Sequence, residues 1–253
     1  MYKNSLAEST CPDLACECGK LASLPFEKEE EHHLYCSISR IDLSEEASRL
    51  VDRPAGRYVS IFFGNAWELE EDAKREISAK LVGELLLIMK KHELKDPKIL
   101  VSGLGNREIT HDSLGSRTCD SLSPCEKMSI FCVGVSANSG IDSAELVKSV
   151  ARCAHADVVI AIDSLTALGS ERVGRVIQIS DTGISPGSGI GKHLKGINDS
   201  ALGIPVISIG IATALATKNS DEKGYVSVPE NVLLISQTAA ELISEALNTV
   251  TKT

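Results

Sequence analysis

The sequence predicts an α/β protein. The expected architecture is three-layered and phosphorylase/hydrolase-like, with a parallel-rich sheet and helices on both faces. Three observations predict it. Val158-Val159-Ile160-Ala161-Ile162 is a continuous aliphatic run, as in a strand buried on both faces. Glu70 to Lys91 carries Ile77, Leu81, Leu85 and Ile88 at helical spacing. Such runs and helical stretches alternate along the chain, which calls for crossover connections and a covered sheet.

Taken in order, residues 1–50 read as an N-terminal arm, a pro-segment-like region. They hold four of the eight cysteines and the charged run Glu27 to Glu31, followed by His32-His33. Residues 51–253 read as one α/β domain. Pro54-Ala55-Gly56 is a turn, and Arg57 to Phe63 a strand rich in β-formers. Ile99-Leu100-Val101 and Met128 to Val135 are strands. Asp142-Ser143-Ala144-Glu145 is a capping-box-like start to a helix reaching about Ala154. Arg172 to Ser180 and Ile204 to Ile209 are further strands, and Ala239 to Val250 is a closing helix.

Composition sets limits. The chain has 253 residues, 43% hydrophobic but only 4% aromatic, so its core is aliphatic. A net charge of −9 argues against direct binding to nucleic acid, which needs a basic surface. No apolar run reaches the ~18 residues that span a bilayer, and Met1 to Cys11 is no secretory signal. A cytoplasmic protein with its cysteines as thiols is expected.

Sites in α/β sheets form beyond the carboxyl ends of the strands. The Ile99 strand leads into Gly103-Leu104-Gly105-Asn106 and on to His111-Asp112. Asp163 directly follows the Val158 run. Asp181 follows the next strand and precedes Gly183 and the Gly187-Ser188-Gly189 turn. Three strand ends thus bring an aspartate to one rim. Asp163 follows five apolar residues, so its carboxyl should be poorly solvated and inclined to keep its proton. His111 is the histidine best placed to carry a proton or bind a ligand there. Gly183-Ile184-Ser185-Pro186-Gly187 matches a serine elbow, but Pro186 has no N–H for the oxyanion, so a serine hydrolase is disfavoured. Cys153 reads as a core residue. Cys11, Cys16 and Cys18 lack a second pair at zinc spacing.

These segments, with Leu202-Gly203-Ile204-Pro205-Val206-Ile207, resemble in order and local spacing the germination protease family of spore-forming bacteria, over roughly residues 34–216. The resemblance implies an aspartate-dependent endopeptidase of the spore core. It would cut small acid-soluble spore proteins and be made as a zymogen that removes an N-terminal segment from itself. A homotetramer is implied too. The two important aspartates map to Asp112 and Asp163. The fold is similar to that of hydrogenase maturation peptidases, which hold a metal at the same strand ends. Asp13-Leu14-Ala15-Cys16-Glu17 resembles the acidic–apolar–Ala–small–Glu pattern the family cuts, so self-cleavage is expected between Asp13 and Leu14.

The chain also departs from the family. A segment is missing after Arg117, Val133 to Gly140 differs from the expected pattern, and Ser185 replaces a histidine. The expected mechanism is a carboxylate dyad without cofactor. Asp112 and Asp163 share a proton, Asp181 and His111 support them, and Gly103, Gly105, Asn106, Gly183, Gly187 and Gly189 supply backbone donors. One rival is a divalent metal at Asp112 and Asp163, as in the hydrogenase-maturation type. The other is a non-catalytic homologue that binds spore proteins.

Overall fold

The computed structural model describes residues 13–17, 28–51, 53–185, 195–218 and 224–252. Among these residues nine strands form one sheet: β1 (Lys28–His32), β2 (Cys36–Leu43), β3 (Gly56–Phe63), β4 (Ile99–Leu104), β5 (Met128–Gly134), β6 (Val158–Ala167), β7 (Val176–Ser180), β8 (Val206–Lys218) and β9 (Gly224–Ser227). Their order is β1-β2-β3-β7-β8-β6-β4-β5, with β9 paired to β8. The helices are α1 (Glu45–Val51), α2 (Glu71–Lys91), α3 (Leu114–Asp120), α4 (Ser136–Ser139), α5 (Ser143–Cys153), α6 (Asp199–Leu202) and α7 (Val232–Val250).

The sheet has two characters. Strands β8, β6, β4 and β5 are mutually parallel. Strands β1, β2, β3, β7 and β9 pair antiparallel. Alternation along each strand sends side chains to opposite layers. Val101, Ile160, Ile162 and Ile209 meet α2, α3 and α7 on one face. Leu100, Val159, Ala161 and Val206 meet Val147 and Ala151 of α5 and Leu202 of α6 on the other. The predicted three layers are present. Val158 to Ile162 are all fully buried, at about 1.5–3 kcal/mol per large aliphatic side chain.

Two readings are corrected. The N-terminal region is not a free arm where it is described: β1 and β2 extend the sheet beyond β3, and Leu14 and Ala15 are buried. The charged run became an edge strand because its glutamates line a solvent edge, where charge also blocks pairing with another chain. Cys153 is exposed at the end of α5, not in the core. Asp142 does cap α5, accepting from the N–H groups of Ala144 and Glu145. Among the described residues no helix is long and apolar enough to cross a membrane.

One ion pair ties the antiparallel wing to α2. Arg40 of β2 grips the buried Glu84 carboxylate, with Nε 3.0 and 3.1 Å from its two oxygens. Arg40→Met should therefore cost about 3–5 kcal/mol, because it strands a buried charge. Arg40→Met with Glu84→Leu should recover most of that loss. Denaturant titration checks both, and a double variant as unstable as the single would refute the reading.

Candidate active site

The carboxylate site begins where the sheet comes apart. Pairing of β4 with β6 ends at Gly103 and Ile162, while β6 continues to Ala167 against β8. Asp163 is the first residue of β6 beyond β4. It is therefore not at a strand end, as the sequence suggested, but inside a long strand whose neighbour has left. It remains buried, and its Oδ1 accepts the N–H of Ser164 at 2.9 Å.

The chain leaving β4 folds back over this opening. Gly105 has φ of +87°, and a side chain there would run into the Asp112 backbone and its Oδ1 at 2.8 Å. Glycine thus permits the turn and leaves room for the carboxylate. Asp112 Oδ2 accepts the Asn106 N–H at 2.7 Å. Thr213 of β8 donates its hydroxyl to the His111 carbonyl at 2.6 Å, and the Leu114 N–H reaches Ser164 Oγ at 3.4 Å. Gly115 then begins α3 packed directly on Leu104 and the Ile162 carbonyl.

Asp112 perturbs its buried neighbour. Burial pushes Asp163 well above the ordinary carboxylate range, and the charges of Asp112 and then Asp13 push it further. Burial also raises Asp112, opposed by the Asn106 N–H and by the nearby His111. Asp163 is thus raised the more strongly of the two. An acid and a base side by side can move protons to and from a reacting group.

The other predicted residues divide. His111 adjoins Asp112. The Asn106 N–H is already committed to Asp112, and Gly103 lies within the β4 ladder. Gly183 has φ of +75° and packs against Ile197 and Asn198, which explains the glycine structurally. Gly187 and Gly189 lie outside the described residues. Asp181 does not join the pair. Strand β7 runs antiparallel to β8, so its carboxyl end faces the opposite way. Ser180 pairs with Ser208 while Asp163 pairs with Gly210, which sets Asp181 three rows away. There its carboxylate accepts the Arg57 N–H at 2.6 Å and the Lys91 ammonium at 2.7 Å. It ties β3 to α2.

Sequence reasoning missed the row beside Asp163. Ser60, Gln178, Gly210 and Asp163 are successive cross-strand partners on β3, β7, β8 and β6. Partners in register share a face, so this is a polar file in an aliphatic sheet. Residues 13–17 lie over it. The Gln178 side chain donates to the Asp13 carbonyl at 3.0 Å and accepts the Ala15 N–H. The Asp13 carboxylate takes the Thr166 N–H and hydroxyl at 2.8 and 2.7 Å. The Glu17 carboxylate takes the N–H groups of Leu168 and Gly169, both at 2.8 Å, with Arg172 beside it at 3.4 Å. A lone glutamine amid Val176, Ile177 and Ile179 was the available signal.

The structure thus defines an α/β protein with a buried Asp163, a half-buried Asp112 and a docked N-terminal segment in one region of its sheet. The family model for germination proteases matches residues 19–227, and the chain belongs to that family. It is 32% identical to the germination protease of Bacillus subtilis over 219 residues, covering 79% of this chain and 60% of that protein. It is 34% identical to that of Priestia megaterium over 205 residues, covering 75% and 55%. The chain thus spans about three-fifths or less of the length of these relatives. Among solved structures, a [NiFe] hydrogenase maturation protease from Thermococcus kodakarensis aligns at 18% identity and TM-score 0.40, over 60% of this chain and 94% of that one.

The raised Asp163 predicts a sign for stability. A carboxyl whose folded pKa exceeds its unfolded value favours folding in acid, and that contribution is lost as pH rises through the folded pKa. Asp163→Asn removes the loss. The variant should gain stability relative to the unsubstituted chain at pH 7, and the gain should shrink toward pH 4. Equal differences at both pH values would refute the assignment.

Proposed function

We propose that this chain is an aspartate-dependent endopeptidase that cuts small acid-soluble spore proteins in the core of the germinating spore, and that it first cuts itself between Asp13 and Leu14. Membership of the germination protease family supports the substrate class. The observation that carries the self-processing step is the grip of Gln178 on the Asp13 carbonyl, in the row that contains Asp163.

The bond between Asp13 and Leu14 is held on both sides. Gln178 brackets it through the Asp13 carbonyl and the Ala15 N–H. Leu14 is buried in the main core cluster. Asp13 points at Thr166, three residues along β6 from Asp163. Holding the target in this way prepays the entropy of attack. In the reaction, Asp112 takes a proton from water as its oxygen bonds to the Asp13 carbonyl carbon. The protonated Asp163 and Gln178 hydrogen-bond the developing oxyanion. Asp112 then passes its proton to the Leu14 nitrogen as the C–N bond breaks. Substrate proteins with the same pattern of acid, apolar residue, alanine and glutamate would use the same contacts.

A divalent ion between Asp112 and Asp163 is supported less well. Among the described residues no three His, Cys, Asp or Glu side chains converge as ligands. The family resemblance further suggests a homotetramer. Leu233 and Leu234, exposed at the head of α7, are the kind of surface a subunit contact covers.

Intact mass of the purified chain over time, with an added spore-protein peptide, tests the proposal. Residues 1–13 should be lost and the peptide cut, with a bell-shaped pH dependence. The acid limb is protonation of Asp112 and the alkaline limb ionisation of Asp163. Asp112→Asn and Asp163→Asn should each abolish both cuts while staying folded, and Gln178→Leu should slow them at least ~10-fold. Peptide binding without cleavage at any pH would identify a non-catalytic homologue instead.

A further inference from the structure

On the far side of β4 from Asp163, two cysteines meet over a glycine. Gly103 of β4 is in register with Cys132 of β5. The Cys119 sulfur, from α3, lies 2.6 Å from where a side chain on Gly103 would begin. Any larger residue at 103 would evict it. Partners in register share a face, so this close approach sets the Cys119 and Cys132 side chains beside one another on the α3 face of the sheet. Arg107 reaches over the pair, with Nη2 4.0 Å from Cys132 Sγ, while also pairing with Asp120 at 2.9 Å. Cys132 is exposed and Cys119 is buried beneath it.

We propose that Cys132 and Cys119 form a redox-active dithiol that exchanges with small-molecule disulfides. This inference stands apart from the peptidase reading. The division of labour follows from exposure. Cys132 is the accessible nucleophile and Cys119 the resolving thiol. The hydrogen bond from Cys119, and then the Arg107 guanidinium, lower the Cys132 thiol to about 6 in spite of partial burial. Cys119 is pushed the other way by the same hydrogen bond and by burial. The Arg107 guanidinium thus favours the thiolate of the exposed sulfur, and burial favours the thiol form of Cys119.

The exchange balances in two steps. The Cys132 thiolate attacks one sulfur of the small disulfide and forms a mixed disulfide as one small thiolate leaves. Cys119 then loses its proton and attacks the Cys132 sulfur, expelling the second small thiolate. Two protein thiols and one small disulfide become one protein disulfide and two small thiols. The product bond ties α3, which follows Asp112 directly, to β5.

Incubating the reduced full-length chain with oxidised glutathione, followed by peptide mapping by mass, tests this. A disulfide between Cys119 and Cys132 should form before any adduct on Cys125 or Cys153, with no glutathione retained at Cys132. Dithiothreitol should reverse it. Cys119→Ser should stop at a glutathione adduct on Cys132, and Cys132→Ser should leave Cys119 unmodified. Arg107→Ala, which is exposed and leaves the fold intact, should slow the first step several-fold. Glutathione retained at Cys132 in the unsubstituted chain, or Cys132 reacting no faster than Cys125 and Cys153, would overturn the proposal.

Discussion

Asp163 sits where β6 has lost β4 as a neighbour but has not left the sheet. That combination holds a carboxyl away from water and still leaves one flank of its strand open to other groups. The loop from Gly105 to Leu114 fills the flank and brings Asp112 to it. Burial then does the electrostatic work. The loop is pinned by its contacts to Ser164 and Thr213. Ionising Asp163 is costly, first because it is buried and then because of the Asp112 charge.

The glycines around this opening have distinct jobs. Gly105 makes the positive-φ turn that lets Asp112 fold back. Gly115 lets α3 lie on the end of β4 and the Ile162 carbonyl. Gly210, between Gln178 and Asp163, makes room for the Leu165 side chain and lies close on the Asp163 carbonyl. With Asp13 held at Gln178 and Thr166, its charge raises Asp163 further. Release of that segment would remove a negative charge from the site. Docking and proton affinity are therefore coupled.

Much of this was legible in the sequence. The Val158 to Ile162 run is buried on both faces because the parallel part of the sheet is sandwiched between helices, and uninterrupted aliphatics report that directly. The strand-end reading put Asp163 near the site, but Asp163 lies inside β6, which outruns β4, and Asp112 on a turn after β4. Asp181 was misplaced because a sequence does not reveal strand direction. Once β7 runs antiparallel, its trailing aspartate faces the other rim and serves Arg57 and Lys91. Gln178 was overlooked because its meaning depends on register across three strands, and register is a tertiary property. The N-terminal stretch read as solvated because its charge is local, whereas the contacts that hold Asp13 and Glu17 come from more than 150 residues away.

The central claim is that one buried carboxyl, Asp163, keeps its proton at neutral pH beside an ionised Asp112. Infrared difference spectroscopy at pH 7, comparing the unsubstituted chain with Asp163→Asn, tests it most directly. A protonated-carboxyl band present in the former and missing from the latter, with the band unchanged in Asp181→Asn, is the predicted result. No protonated carboxyl at neutral pH, or a band that survives Asp163→Asn, would contradict the account.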